Sequence, residues 1–108
     1  MSPITTHVLD TATGSPAAGL SIVLERRDGD QAFSTVASGV TDDDGRIKDL
    51  MQPGELRVGV YRLTFATGAY YATRDESTFY PSVTVLFEIR EPDQHYHVPL
   101  LLSPFGYS

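Results

Sequence analysis

The sequence predicts an all-β fold, an antiparallel β-sandwich decorated by one short helix. Three observations carry that expectation. Seven or eight short runs of β-branched and aromatic residues recur along the 108 residues, separated by Gly, Pro, Asp and Ser turn clusters. Within the runs, apolar residues alternate with polar ones at the period of a strand. A single stretch, Ala66 to Arg74, has helical composition, with three alanines and no proline.

Pro3 to Asp10 reads as the first strand, with Thr5, His7 and Leu9 on one face and Ile4, Thr6 and Val8 on the other. Thr13-Gly14-Ser15-Pro16 is a turn. Leu20 to Arg26 follows as a strand that points Leu20, Ile22 and Leu24 inward, and Asp28-Gly29-Asp30 turns it into a third strand, Phe33 to Val40. The acidic turn Thr41 to Arg46 then opens a short strand over Arg46 to Asp49. Its Asp42-x-Asp44 start has the look of a calcium loop. The sixth and twelfth places of such a loop must be Gly and Glu, and here they are Ile47 and Pro53. The carboxylates are expected instead to cap backbone N–H groups. Gly59 to Phe65 sets Val60, Arg62 and Thr64 against Tyr61, Leu63 and Phe65, and the helical stretch follows it. Ser82 to Arg90 is the strongest strand by propensity, and Pro92-Asp93 turns it into the last long strand. No internal repeat or low-complexity tract interrupts this pattern, so residues 1–108 form a single domain.

Composition narrows the function. A hydrophobic content of 41% supports one core, and the absence of cysteine excludes disulfides, thiolate metal sites and cysteine nucleophiles. A net charge of −6 argues against a nucleic-acid partner and requires that any anionic substrate meet a locally positive site. With no apolar stretch of bilayer-spanning length and no basic-then-apolar leader, a soluble, cytoplasmic protein is expected, with no membrane partner.

The last long strand carries the first sign of chemistry. His95, His97, Pro99 and Leu101 share one face, while Tyr96, Val98, Leu100 and Leu102 form a core-facing set. Pro99 lacks an N–H, which marks an edge strand or a departure from the ladder. His7 also lies on the less apolar face of its strand, so pairing of the first and last strands would bring His7 and His97 together. Arg46, directly after a glycine turn, completes the set. Taken singly, each of these residues is more often a packing or solvated side chain; only convergence would make them a site. A zinc site from His7, His95 and His97 lacks an obvious Asp or Glu partner, and no Gly-x-Ser-x-Gly elbow supports a serine triad. Hydrolysis without a cofactor remains, an imidazole taking a proton from water and a guanidinium holding an oxyanion. The residues alone reach no further than a β-sandwich with a candidate His/Arg site.

Several blocks of the sequence resemble one family. They are Ile4-Thr5-Thr6-His7-Val8-Leu9-Asp10-Thr11 with Gly14-x-Pro16-Ala17, Thr41-x-x-x-Gly45-Arg46, and Tyr61-Arg62-Leu63-x-Phe65 with Thr67-Gly68-x-Tyr70. Phe79-Tyr80-Pro81 and the highly specific His95-Tyr96-His97-Val98-Pro99-Leu100-Leu101-Leu102-Ser103-Pro104 complete the set. Together they are similar to the transthyretin-like 5-hydroxyisourate hydrolases of urate (purine) degradation, over nearly the whole chain.

The resemblance implies a transthyretin-like sandwich of two four-stranded sheets. It also implies a homotetramer, a dimer of dimers around a central channel. The family's catalytic residues carry over to His7, Arg46 and His97. Thr5, Leu9, Pro99 and Leu101 would then face the channel as substrate-binding neighbours, with His95 nearer its mouth. Arg46 would anchor the substrate and its oxyanion, while one imidazole, His7 or His97, acts as general base. Transthyretin, the hormone carrier, has non-catalytic residues at the three matching places. The alternative of a non-catalytic module for a small aromatic ligand is therefore less well matched, and a carbohydrate-binding sandwich lacks an aromatic platform. The family signature closes with Tyr-Arg-Gly-Ser a few residues beyond Tyr107-Ser108, a segment expected to complete the last strand and contribute to the site.

Overall fold

A computed structural model describes residues 2–29 and 31–108. Of the expected Asp28-Gly29-Asp30 turn, Asp30 lies outside the described residues. The strands are β1 (Ile4–Asp10), β2 (Ser15–Pro16), β3 (Ser21–Arg27), β4 (Phe33–Val40), β5 (Gly59–Phe65), β6 (Val83–Ile89), β7 (Tyr96–Ser103) and β8 (Gly106–Tyr107). The helix α1 (Thr67–Ala72) follows β5. Two four-stranded sheets result, ordered β2-β1-β7-β8 and β4-β3-β5-β6.

Alternation puts the core where the sequence indicated. Ile22, Leu24, Tyr61, Leu63, Phe65, Val83 and Ile89 of one sheet meet Ile4, Val8, Leu100 and Leu102 of the other, all buried. The helix is shorter than its composition suggested: beyond Ala72 the chain continues only in turns, with Thr73 donating its N–H to Ala69 and Arg74 to Tyr71.

Three features depart from expectation. Ser15 and Pro16, within the expected turn, pair antiparallel with Asp10 and Leu9 on the rim of β1. The expected strand from Arg46 to Asp49 is reduced to one bridge, Arg46 opposite His7. Beyond it the chain turns inward to bury Leu50 and Met51, and the Met51 N–H goes to the Ser2 hydroxyl rather than to β1. Finally, β1 and β7 run parallel, the one such pair among the described strands.

That parallel pairing explains Pro99. Tyr96 N–H bonds to Pro3, and Leu102 C=O accepts from Thr11, so alternate residues of β7 point their backbone toward β1. Leu101, of the opposite parity, exchanges both its bonds with Ser108. Pro99 shares that parity, and β8 pairs only with Leu102 and Ser103. The missing N–H therefore faces a stretch of edge unpaired among the described residues and leaves no carbonyl in the β1 ladder unmatched.

Candidate active site

The β1–β7 register determines which side chains meet on the outward face of this sheet. Thr5 stands opposite His97, His7 opposite Pro99, and Leu9 opposite Leu101. Ile4, Thr6, Val8 and Asp10 are buried, so the intervening Thr5, His7 and Leu9 look outward, half-exposed. The Thr5 hydroxyl lies 2.9 Å from His97 Nδ1 and 3.3 Å from His95 Nε2, tying both imidazoles to one oxygen.

Arg46 reaches this face because its turn is clamped to β1. Gly45 accepts from Val8 N–H at 2.8 Å, with a left-handed backbone (φ +74°). The Asp42 carboxylate accepts from the N–H groups of Asp44 (2.9 Å) and Arg46 (3.1 Å), as expected for a capping aspartate. These bonds, the one from Arg46 foremost, hold the Asp42 carboxyl below its ordinary range. Thr41 is buried behind them, donating to Ala17 C=O at 2.7 Å and accepting from Leu20 N–H at 2.9 Å.

Between the turn and the start of β7 lies an open cleft of about 470 Å³, lined by Thr5, Thr6, Arg46, Ile47, Lys48, His95 and His97. Its charge is one-sided: among the described residues the lining has two permanent cations, two imidazoles and no carboxylate. Burial pushes the His97 imidazole below its ordinary pKa, and Arg46, His7 and His95 push it in the same direction. The shift favours the neutral imidazole, the form that accepts a proton. Among the described residues, no three His, Cys, Asp or Glu side chains are grouped to hold a metal ion.

Of the residues singled out in the sequence, Thr5, Arg46, His95 and His97 line the cleft. His7 is half-buried on the same face, bridged to Arg46 through its backbone and outside the lining itself. Leu9, Pro99 and Leu101 continue the face away from the cleft. His95, expected nearer the channel mouth, shares the Thr5 hydroxyl with His97. Lys48 is a further lining residue, beyond the sequence candidates. Its i, i+2 spacing from Arg46 in an extended segment was the available signal.

Fold and site together define a two-sheet sandwich carrying an imidazole-and-guanidinium cleft on the outward face of one sheet. The chain belongs to the HIUase/Transthyretin family, whose model matches residues 4–108. It is 44% identical over 105 residues to a 5-hydroxyisourate hydrolase of Salmonella dublin, covering 97% of this chain and 76% of that one. It is also 44% identical over 108 residues to a 5-hydroxyisourate hydrolase of Mus musculus, covering 99% and 92%. Among solved structures it resembles sea bream transthyretin in complex with thyroxine, with a TM-score of 0.94, 34% identity, and coverage of 98% and 91%. No helix among the described residues is long and apolar enough to cross a membrane.

Proposed function

We propose that this protein hydrolyses 5-hydroxyisourate, opening its six-membered ring at an amide bond to give 2-oxo-4-hydroxy-4-carboxy-5-ureidoimidazoline, a step of urate degradation. One observation carries the reading. In a chain 44% identical to a hydrolase of that name, an imidazole with a lowered pKa, a hydroxyl and a guanidinium share one cleft.

The chain carries −6, so an anionic substrate is drawn in only locally, by Arg46 and Lys48. His97 takes a proton from water as the water oxygen bonds to the ring carbonyl carbon. Arg46 holds the resulting oxyanion with its fork of N–H donors. The carbon–nitrogen bond then breaks, and the imidazolium returns its proton to the departing nitrogen. His7 positions substrate or water beside Arg46, and these groups suffice for amide hydrolysis without a cofactor. Thr5, Leu9, Pro99 and Leu101 bind substrate along the same face. That face is closed into a channel by assembly as a homotetramer, a dimer of dimers, in the cytoplasm. Support for assembly comes from Leu101, an apolar side chain 42% exposed on the outward face of β7.

The test is the decay of freshly generated 5-hydroxyisourate, followed by stopped-flow absorbance in a urate oxidase mixture. Decay accelerated in proportion to added protein supports the reading; decay at the spontaneous rate overturns it. The likeness to a transthyretin in complex with thyroxine favours a second reading, a carrier of a small aromatic ligand. Tight stoichiometric binding of such a ligand in calorimetry, without turnover, would select it.

A further inference from the structure

We infer that His95, acting through the Thr5 hydroxyl, sets the tautomer of His97 and so makes it a base toward the cleft. This role rests on the hydrolase reading above. A hydroxyl has one proton, and the Thr5 oxygen has two imidazole nitrogens within reach, His97 Nδ1 at 2.9 Å and His95 Nε2 at 3.3 Å. Two arrangements hand that one proton to one of the two rings. In one, His95 Nε2–H donates to Thr5 and Thr5 donates to His97 Nδ1, which leaves the His97 proton on Nε2. In the other, His97 Nδ1–H donates to Thr5 and Thr5 donates to His95 Nε2, which leaves His97 Nε2 with a free lone pair.

The cleft selects the second. Arg46 and Lys48 are donor-only cations, and the Thr6 hydroxyl is committed to Val98 C=O at 2.7 Å. With no carboxylate in the lining among the described residues, an N–H directed into the cleft would face donor-only cations, whereas a lone pair there is favoured by them. The charged and titratable groups acting on His97 are Arg46, His7 and His95, and Lys48 lines the same cleft. In many hydrolytic sites a carboxylate orients the catalytic imidazole; here a neutral acceptor, reached through a hydroxyl, does so. His95 is thus a positioning residue. When His97 Nε2 takes the proton from water, Nδ1 keeps its own and continues to donate to Thr5, so nothing in the relay need break.

The experiment reads tautomers directly, by long-range proton–nitrogen correlation of ¹⁵N-labelled protein without substrate, at about pH 8 where imidazoles are neutral. In the unmodified chain the His97 proton is expected on Nδ1. Thr5→Val and His95→Leu should both move it toward Nε2, whereas His95→Gln, whose amide oxygen still accepts from Thr5, should keep it on Nδ1. In turnover, His95→Leu should lower kcat about tenfold with KM held within about twofold, and His95→Gln should recover most of it. A His97 proton on Nε2 in the unmodified chain, or a tautomer indifferent to His95→Leu, overturns the inference even if the protein hydrolyses 5-hydroxyisourate. The Nδ1 tautomer without any turnover would instead leave the lock standing and overturn the hydrolase reading with the catalytic role assigned to His95.

Discussion

The carbonyl oxygen of Val8 stands where a side chain on Gly45 would have to be, while the Val8 N–H donates to the Gly45 carbonyl at 2.8 Å. The turn that presents Arg46 and the strand that presents His7 are therefore in backbone contact, with no room for a Cβ between them. Gly45→Ala must both leave the left-handed region and displace the clamp. It should cost on the order of 2 kcal/mol or more in chemical denaturation, and lower kcat/KM by misplacing Arg46 even where the chain is fully folded. An alanine variant of unchanged stability would show that the clamp is looser than this contact implies.

Arg46 is exposed and makes no side-chain hydrogen bond among the described residues, so it carries little of the fold. Arg46→Lys keeps the charge and loses the planar fork. It should raise KM and lower kcat, Arg46→Ala should do both more strongly, and neither should shift the melting temperature appreciably. Steady-state kinetics with a thermal melt on each variant separates these effects.

His97 supplies the pH dependence. Its pKa is lowered on folding, so the native state binds fewer protons than the unfolded one at mildly acidic pH. Its contribution to stability is complete above the ordinary imidazole value of about 6.5 and is lost as pH falls through the lower folded value. The acid limb of kcat/KM should likewise lie below the ordinary imidazole range. Arg46→Ala removes a positive neighbour, and an NMR titration should then find the His97 pKa higher than in the unmodified chain.

Behind the site, Asp10 is buried at 1% exposure and accepts from Ala12 N–H at 3.0 Å and the Tyr70 hydroxyl at 3.0 Å. Burial and the Asp10 carboxylate push the Tyr70 phenol up to about 12, so it remains a donor well into alkaline solution. Tyr70→Phe leaves a buried carboxylate oxygen short of a partner and should destabilise by about 1–3 kcal/mol in urea titration. In the unmodified chain, the Tyr70 contribution is complete below pH 10 and is lost as pH rises toward 12.

Much of this fold was legible because strand alternation is a local signal. Tyr61, Leu63 and Phe65 are buried as their spacing required, as are Leu100 and Leu102, and β4 spans the expected Phe33–Val40. What escaped depends on contacts distant in sequence or too short to have a period. Ser15–Pro16 is a strand only because Leu9 and Asp10 lie beside it, and Arg46 pairs at one residue before burial of Leu50 draws the chain away. The convergence expected of His7 and His97 depends on the first and last strands pairing; they pair with Thr5 opposite His97 and His7 opposite Pro99, in a parallel sense that has no local signature. The share of His95 in the Thr5 hydroxyl required that same register.

The cleft on the outward face of the β1–β7 pair is the proposed place of the hydrolysis. The rate of 5-hydroxyisourate decay catalysed by His97→Ala, compared with the unmodified chain at matched concentration and with the melting temperature of each recorded, tests it most directly. The His97 side chain lies outside the core, so the variant should melt like the unmodified chain while its kcat falls on the order of 10²–10⁴-fold. Near-native turnover by a folded His97→Ala protein would contradict the claim.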